Sequence, residues 1–266
     1  MKLTINSLSV NEFGKKENQS IIFIHGFPYD YTMWENQIRA LQKNYYCVAY
    51  DVRGLGESYV GDGQYTMEAF VHDLYSIIDE MGLHKPVICG LSMGGYIALR
   101  AVEIDQSKFG GLILCDTRSE ADNDEGKLKR AAAINMINVE GLDKYVDSTV
   151  PRTFSEEAVK RKKKAFVTTM DVAKRSNPTG VKGCLIAMMG RTDTTKFLKK
   201  IKLPTLVLSG SFDVLTPPVM MRDIAVKIKG SEFAIVPRAG HMTPIENPSM
   251  VNDMIKGFMG RLTGKK

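Results

Sequence analysis

Apolar positions along the chain follow two periods that alternate from segment to segment. Residues 3–5 and 8–13 read as strands, and 21–25 is a continuous apolar run separated from them by a polar turn at 15–20. A further strand is predicted at 47–50. The spacing of Phe70, Val71, Leu74, Ile77, Ile78 and Met81 then changes to three and four residues, which predicts a helix over 67–81 stopped by Gly82. A short buried strand at 87–89 runs into Ser92 and a helix through residue 104, and a new apolar run follows at 112–115. Strands alternating with helices imply an α/β chain with a parallel sheet covered on both faces.

After Asp116 the alternation stops. Residues 118–200 read as helices only, at 121–139, at 142–149, in a third opened by Ser155 as N-cap with Glu156 and Glu157 in its first turn, and near 181–189 and 194–199. Strands resume at 205–209 and 232–236, and a helix over 248–259 closes the chain. The expected organisation is a core in two parts, 1–117 and 201–266, interrupted by a helical unit at 118–200. No internal repeat is visible.

Composition narrows the class. With 266 residues, 44% of them hydrophobic and 25% charged, the chain can bury a substantial core, and disordered or collagen-like readings are excluded. No apolar stretch approaches the roughly 18 residues of a membrane span, and the opening MKLTINSLSV alternates where an export signal would be continuously apolar, so a cytoplasmic protein is expected. Cys47, Cys89, Cys115 and Cys184 lack the spacing of a zinc site or a disulfide framework and read as buried thiols; no metal is expected. A net charge of +6, without a basic stripe interleaved with aromatics, does not point to nucleic acid. The surplus is local: residues 118–200 hold 18 basic and 11 acidic side chains, the rest of the chain 18 and 19. The run Lys160–Lys164 would cover every side of a helix and reads as solvated surface, the alternative being that part of the surplus steers anionic substrates.

The strongest chemical signal is Gly90-Leu91-Ser92-Met93-Gly94, a GxSxG between a predicted strand and a predicted helix. A sharp turn there forces the serine to positive φ and thrusts its hydroxyl outward at a helix N-terminus, whose dipole favours a developing oxyanion. Ser92 is therefore the candidate nucleophile. Of four histidines, His72 faces solvent on a helix, His84 lies in a linker, and His25 ends a strand where a backbone-positioning role is expected. His241 remains, in a loop after the last strand, as the candidate general base. A carboxylate must hold its tautomer, and Asp213, after the strand at 205–209, gives the order Ser, Asp, His; Asp116 at the end of the preceding strand competes. The two oxyanion N–H donors fall on Met93 and, in the His25-Gly26-Phe27-Pro28 loop, on Phe27.

These residues, with Trp34 and the stretch Asp51-Val52-Arg53-Gly54-Leu55-Gly56-Glu57-Ser58, closely resemble the α/β-hydrolase fold family over nearly the whole chain. Within it the chain is similar to the small carboxylesterase, 3-oxoadipate enol-lactonase and cofactor-free haloperoxidase group. The resemblance implies a mostly parallel, doubly wound sheet with a helical cap inserted after the sixth strand. It also implies Ser92, Asp213 and His241 as a triad, Phe27 and Met93 as oxyanion donors, and a structural role for the Asp51–Ser58 loop. The expected activity is hydrolysis of a small-molecule carboxylic ester or lactone through an acyl-enzyme, with no cofactor, no nucleic acid and no membrane partner. Acyl transfer, perhydrolysis and slow-turnover ligand sensing are the alternatives the same residues support. Trp34, Met136, Met188, Met189, Leu215 and Met242, beside Phe27, are expected to line an adaptable apolar pocket.

Overall fold

In the computed structural model, which describes residues 1–264, one sheet of eight strands runs through the molecule. The strands are β1 (Lys2–Ile5), β2 (Leu8–Phe13), β3 (Ser20–Ile24), β4 (Tyr46–Tyr50), β5 (Val87–Leu91), β6 (Gly111–Cys115), β7 (Thr205–Gly210) and β8 (Glu232–Val236). Their spatial order is β1-β2-β4-β3-β5-β6-β7-β8; β2 pairs antiparallel with β1 and β4, and all other neighbours are parallel. Successive strand side chains point to opposite faces, so the unbroken burial of β3, β4, β5, β6 and β7 means that both faces are covered. Each Ile, Leu or Val so enclosed contributes about 1.5–3 kcal/mol of transfer free energy. The mostly parallel sheet and the helices inserted after β6 match the fold expected from the sequence.

Topology then decides where chemistry can sit. From β3 the chain crosses to β4 on one side and later returns to β5 on the other, so the connections after β3 and β5 diverge and leave a crevice at the carboxyl ends of these strands. Gly26 and Phe27 follow β3, and Ser92 follows β5.

The helices are α1 (Glu35–Leu41), α2 (Met67–Glu80), α3 (Met93–Asp105), α4 (Asp124–Glu140), α5 (Leu142–Thr149), α6 (Glu156–Lys160), α7 (Lys164–Arg175), α8 (Pro178–Met189), α9 (Pro218–Lys227), α10 (Thr243–Glu246) and α11 (Pro248–Thr263). Side-chain caps start several of them: Thr66 accepts from the Ala69 N–H, Asn123 from Gly126, Ser155 from Ala158 and Asn177 from Thr179. Helix α2 buries the apolar stripe Phe70, Val71, Leu74, Ile77 and Ile78. The insertion departs from the periodicity in two places. The basic run does not lie on one helix: α6 ends at Lys160, Lys162 turns at φ +43°, and α7 begins at Lys164. At 194–199 an Asx turn, with Asp193 accepting from the Thr195 N–H at 2.7 Å, replaces the expected helix, and only Leu198–Lys200 makes a 3₁₀ turn. All four cysteines are free and buried, and burial pushes the Cys47 thiol up to about 12. No helix among the described residues is long and apolar enough to cross a membrane.

Candidate active site

Ser92 stands between β5 and α3 at φ +52°, ψ −112°, a backbone state that costs an L-residue of order 1–3 kcal/mol and persists only where the surroundings enforce it. The enforcement is local. A Cβ on Gly90 would stand 2.3 Å from the Gly94 carbonyl, and one on Gly94 2.2 Å from that of Ile24, so any larger residue would open the turn. The Ser92 backbone is also tied to β6: its N–H donates to the Cys115 carbonyl at 3.1 Å, and its carbonyl accepts from the Thr117 hydroxyl at 2.8 Å. The side chain is half-buried. Met93 opens α3, where the first N–H groups have no partner within the helix. Gly26 lies against the elbow, a Cβ there falling 3.6 Å from the Ser92 Cβ, so the 26–27 segment runs beside Ser92.

His241 and Asp213 come from the loops after β8 and β7. Nδ1 of His241 donates to Oδ2 of Asp213 at 2.8 Å, and both residues are buried. The other carboxylate oxygen accepts from the N–H groups of Leu215 (2.8 Å) and Thr216 (3.0 Å), while the Thr216 hydroxyl donates to Oδ2 at 2.5 Å. Burial alone would raise the Asp213 pKa, but the His241 charge and these hydrogen bonds outweigh it and hold the carboxyl well below its ordinary value. An ionised Asp213 on Nδ1 leaves Nε2 as the free proton acceptor. Among the described residues no hydrogen bond joins the Ser92 hydroxyl to the imidazole, a contact that forms in many hydrolases only with substrate bound.

The other histidines lie elsewhere. His25 is fully buried, bonded through Nδ1 to the Gly26 carbonyl at 2.8 Å and accepting at Nε2 from the Val52 N–H at 2.9 Å; burial lowers its pKa. It fixes two loops as a neutral side chain. His72 and His84 are exposed. Asp51 accepts from the Tyr31 and Glu57 N–H groups, both at 2.9 Å, and organises its own loop. Asp116 has no hydrogen bond to His241, whose carboxylate partner is Asp213.

Two pocket expectations need correction. Trp34 is completely buried with its ring 5.1 Å from Phe23, and Met242 also has no exposed surface, so both pack in the core. The aromatic and the methionine stand next to the candidate motifs in sequence, but both belong to the buried apolar core. Phe27, Met136, Met189 and Leu215 are half-buried, and Met188 is buried with its sulfur 3.4 Å from Arg130 Nη1. The Phe27 ring lies 6.5 Å from that of Tyr145 on α5. Sequence reading also missed Glu246, which ties the His241 loop to the insertion: Oε1 accepts from the Gly240 N–H at 2.7 Å, and Oε2 from the Ser155 N–H at 2.9 Å and hydroxyl at 2.6 Å. No local signal marks it, because one of its partners lies 91 residues away.

Comparison with known proteins agrees with this fold. The model of the α/β hydrolase fold family matches residues 19–248, and the chain belongs to that family. It is similar to 3-oxoadipate enol-lactonase 1 of Acinetobacter baylyi, with 28% identity over 95% of this chain and 93% of that one. Among solved structures, a thermophilic esterase from Thermogutta terrifontis superposes with a TM-score of 0.92 at 32% identity, over 98% of both chains. The enol-lactonase from Burkholderia xenovorans LB400 does so with a TM-score of 0.89 at 25% identity, over 97% of this chain and 99% of that one.

Proposed function

We propose that the protein hydrolyses a carboxylic ester or lactone of a small molecule through an acyl-enzyme on Ser92. His241 takes the serine proton as the hydroxyl attacks the carbonyl, and the imidazolium that forms is stabilised by Asp213. The tetrahedral oxyanion is received by the N–H groups of Met93 and Phe27. His241 returns the proton to the leaving alcohol, then activates the water that releases the acid. Every step uses groups of this chain, so the scheme calls for no cofactor.

The observation that carries the reading is the 2.8 Å contact of His241 with a carboxylate held ionised, in a molecule whose elbow serine is strained to φ +52°. Kinship with an esterase and with enol-lactonases supports the substrate class. Residues 118–200 are read as a cap roofing the site, with Phe27, Met136, Met188, Met189 and Leu215 as walls of the acyl pocket. Purified protein assayed against acyl esters and lactones of graded length and charge should turn over at least one series, and a fluorophosphonate should label Ser92. No turnover across the panel together with an unlabelled Ser92 would end this reading.

A further inference from the structure

Asp116 has no part in that scheme, yet its carboxyl group is completely buried and touches two of the loops that carry the candidate residues. Oδ1 accepts from the Gly210 N–H at 2.7 Å, and Oδ2 from the Thr243 hydroxyl at 2.5 Å. Gly210 ends β7, just before the loop of Asp213; Thr243 opens α10, just after His241. The next residue completes the set, since the Thr117 hydroxyl holds the Ser92 carbonyl at 2.8 Å. One dipeptide after β6 therefore bonds to the nucleophile, acid and base segments, across 25, 94 and 127 residues of sequence.

We propose that Asp116 and Thr117 are positioning residues that set the placement of the Ser92 hydroxyl relative to the His241–Asp213 pair. This deepens the hydrolase reading and rests on it. Three loops on three parallel strands have no common backbone ladder beyond the strand ends, so their mutual placement depends on side-chain ties such as these. The neutral acid is the form suited to the role. Burial, then the charge of Asp213, push the Asp116 carboxyl well up, against the opposing hydrogen bonds from Thr243 and Gly210. A neutral acid keeps both contacts, Oδ1 still accepting from the Gly210 N–H and the protonated Oδ2 donating to the Thr243 hydroxyl oxygen in place of accepting from it, without setting a second negative charge beside the pair that must stabilise the imidazolium.

The test uses the full chain with p-nitrophenyl acetate as substrate, the rate of fluorophosphonate labelling at Ser92, and Tm for each variant, with kinetics measured well below Tm. Asp116→Ala should lower kcat roughly 10- to 100-fold, leave KM within about threefold, and slow labelling in parallel, the size of loss that a small misplacement of reacting groups produces. Asp116→Asn, neutral and of the same shape, should recover most of that loss. Thr117→Val and Thr243→Val, each removing a single tie, should each lower kcat about three- to tenfold. If these variants lower Tm and leave kcat and labelling at wild-type values, the dipeptide only packs and the proposal is wrong. If Asp116→Asn loses as much as Asp213→Asn, Asp116 acts through its charge, which overturns it equally. Should Asp116→Ala fail to fold, the two threonine variants decide. A wild-type protein that is neither labelled nor active would instead remove the hydrolase reading beneath.

Discussion

Carboxylates are held in opposite ways at the carboxyl edge of the sheet and in the insertion. At the carboxyl edge of the sheet, Asp51, Asp213 and Glu246 are satisfied mainly by backbone N–H groups and hydroxyls. In the insertion, Asp122 is clamped between two guanidinium groups: its Oδ2 pairs with Arg130, and its Oδ1 with Arg191 at 2.8 Å. Backbone dipoles orient a carboxylate without cancelling its charge, so Asp213 keeps the negative charge that the proposed mechanism uses. An arginine partner would spend that charge on a permanent ion pair. In the insertion the two cations also outnumber their shared anion, and Arg130 lies close enough to Tyr96 and Tyr145 for its charge to reach both.

The largest expected effects break the sheet-edge side of this contrast. Ser92→Ala should lower ester turnover by roughly 10⁴-fold or more, and Asp213→Asn, which removes only the charge, by about 10⁴-fold with folding intact. Thermal melts run beside kcat/KM separate the two effects. An Asp213→Asn enzyme with near wild-type turnover would mean that the carboxylate does no electrostatic work, and the comparison would collapse.

The insertion should answer the matching charge deletion with stability. Asp122 and Arg191 have side chains 5% and 3% exposed, so Asp122→Asn leaves two guanidinium groups competing for a neutral amide in a dry site. Removing one partner of a buried pair costs about 3–5 kcal/mol. Denaturant melts should show a loss of that order, with kcat on the remaining folded enzyme changed far less than by Asp213→Asn. The reverse pattern would place Asp122 in the chemistry.

The same contrast explains what the sequence reveals. The elbow is legible because its residues form a contiguous pattern, GxSxG between a strand and a helix, even though the carbonyl that dictates Gly94 belongs to Ile24 on β3. His241 follows by elimination, and Asp213 from its place after β7 in the chain order. Thr216, Thr243 and Glu246 are silent, since a hydroxyl or carboxylate whose partners come from folded loops has no pattern of its own. Trp34 misleads because an aromatic beside a motif does not reveal which way it faces. Helix α7 is hidden for another reason. Its buried Phe166, Thr169 and Ala173 keep the i, i+3, i+7 spacing, but the stripe follows a lysine run and contains a single large apolar side chain, which makes it thin.

A smaller effect concerns the basic surplus of the insertion. Three of its lysines are balanced in exposed pairs, Lys160 with Glu156 at 2.8 Å, Lys163 with Glu157 at 3.1 Å and Lys129 with Glu125 at 2.6 Å, and such pairs are weak and screened by salt, so the surplus resides in the other basic side chains. If the remainder rims the entrance, kcat/KM for a carboxylate-bearing ester should fall about two- to fivefold between low and moderate ionic strength, while its neutral isostere is unaffected. Equal responses would leave the outer charge with solubility as its only consequence.

The smallest effect reads the protonation of Asp116 directly from stability. An unfolded aspartate titrates near about 3.9. The buried group titrates well above that, driven first by burial and then by the Asp213 charge. Between the two values the folded protein binds the extra proton, so wild-type stability contributed by this group is complete below about pH 4 and is lost as pH rises through the folded pKa. Asp116→Asn has no proton to lose. Whatever the substitution costs at pH 4, the difference in Tm between variant and wild type should move in the variant's favour by pH 8. A relative gain of roughly 2–4 °C corresponds to about 1 kcal/mol in a chain of this length. Melts of both proteins across pH 4–8 measure it. A difference independent of pH, or one moving toward the wild type, would mean that Asp116 is ionised in the folded state, and a charged carboxylate would then stand on each side of the Gly210 turn.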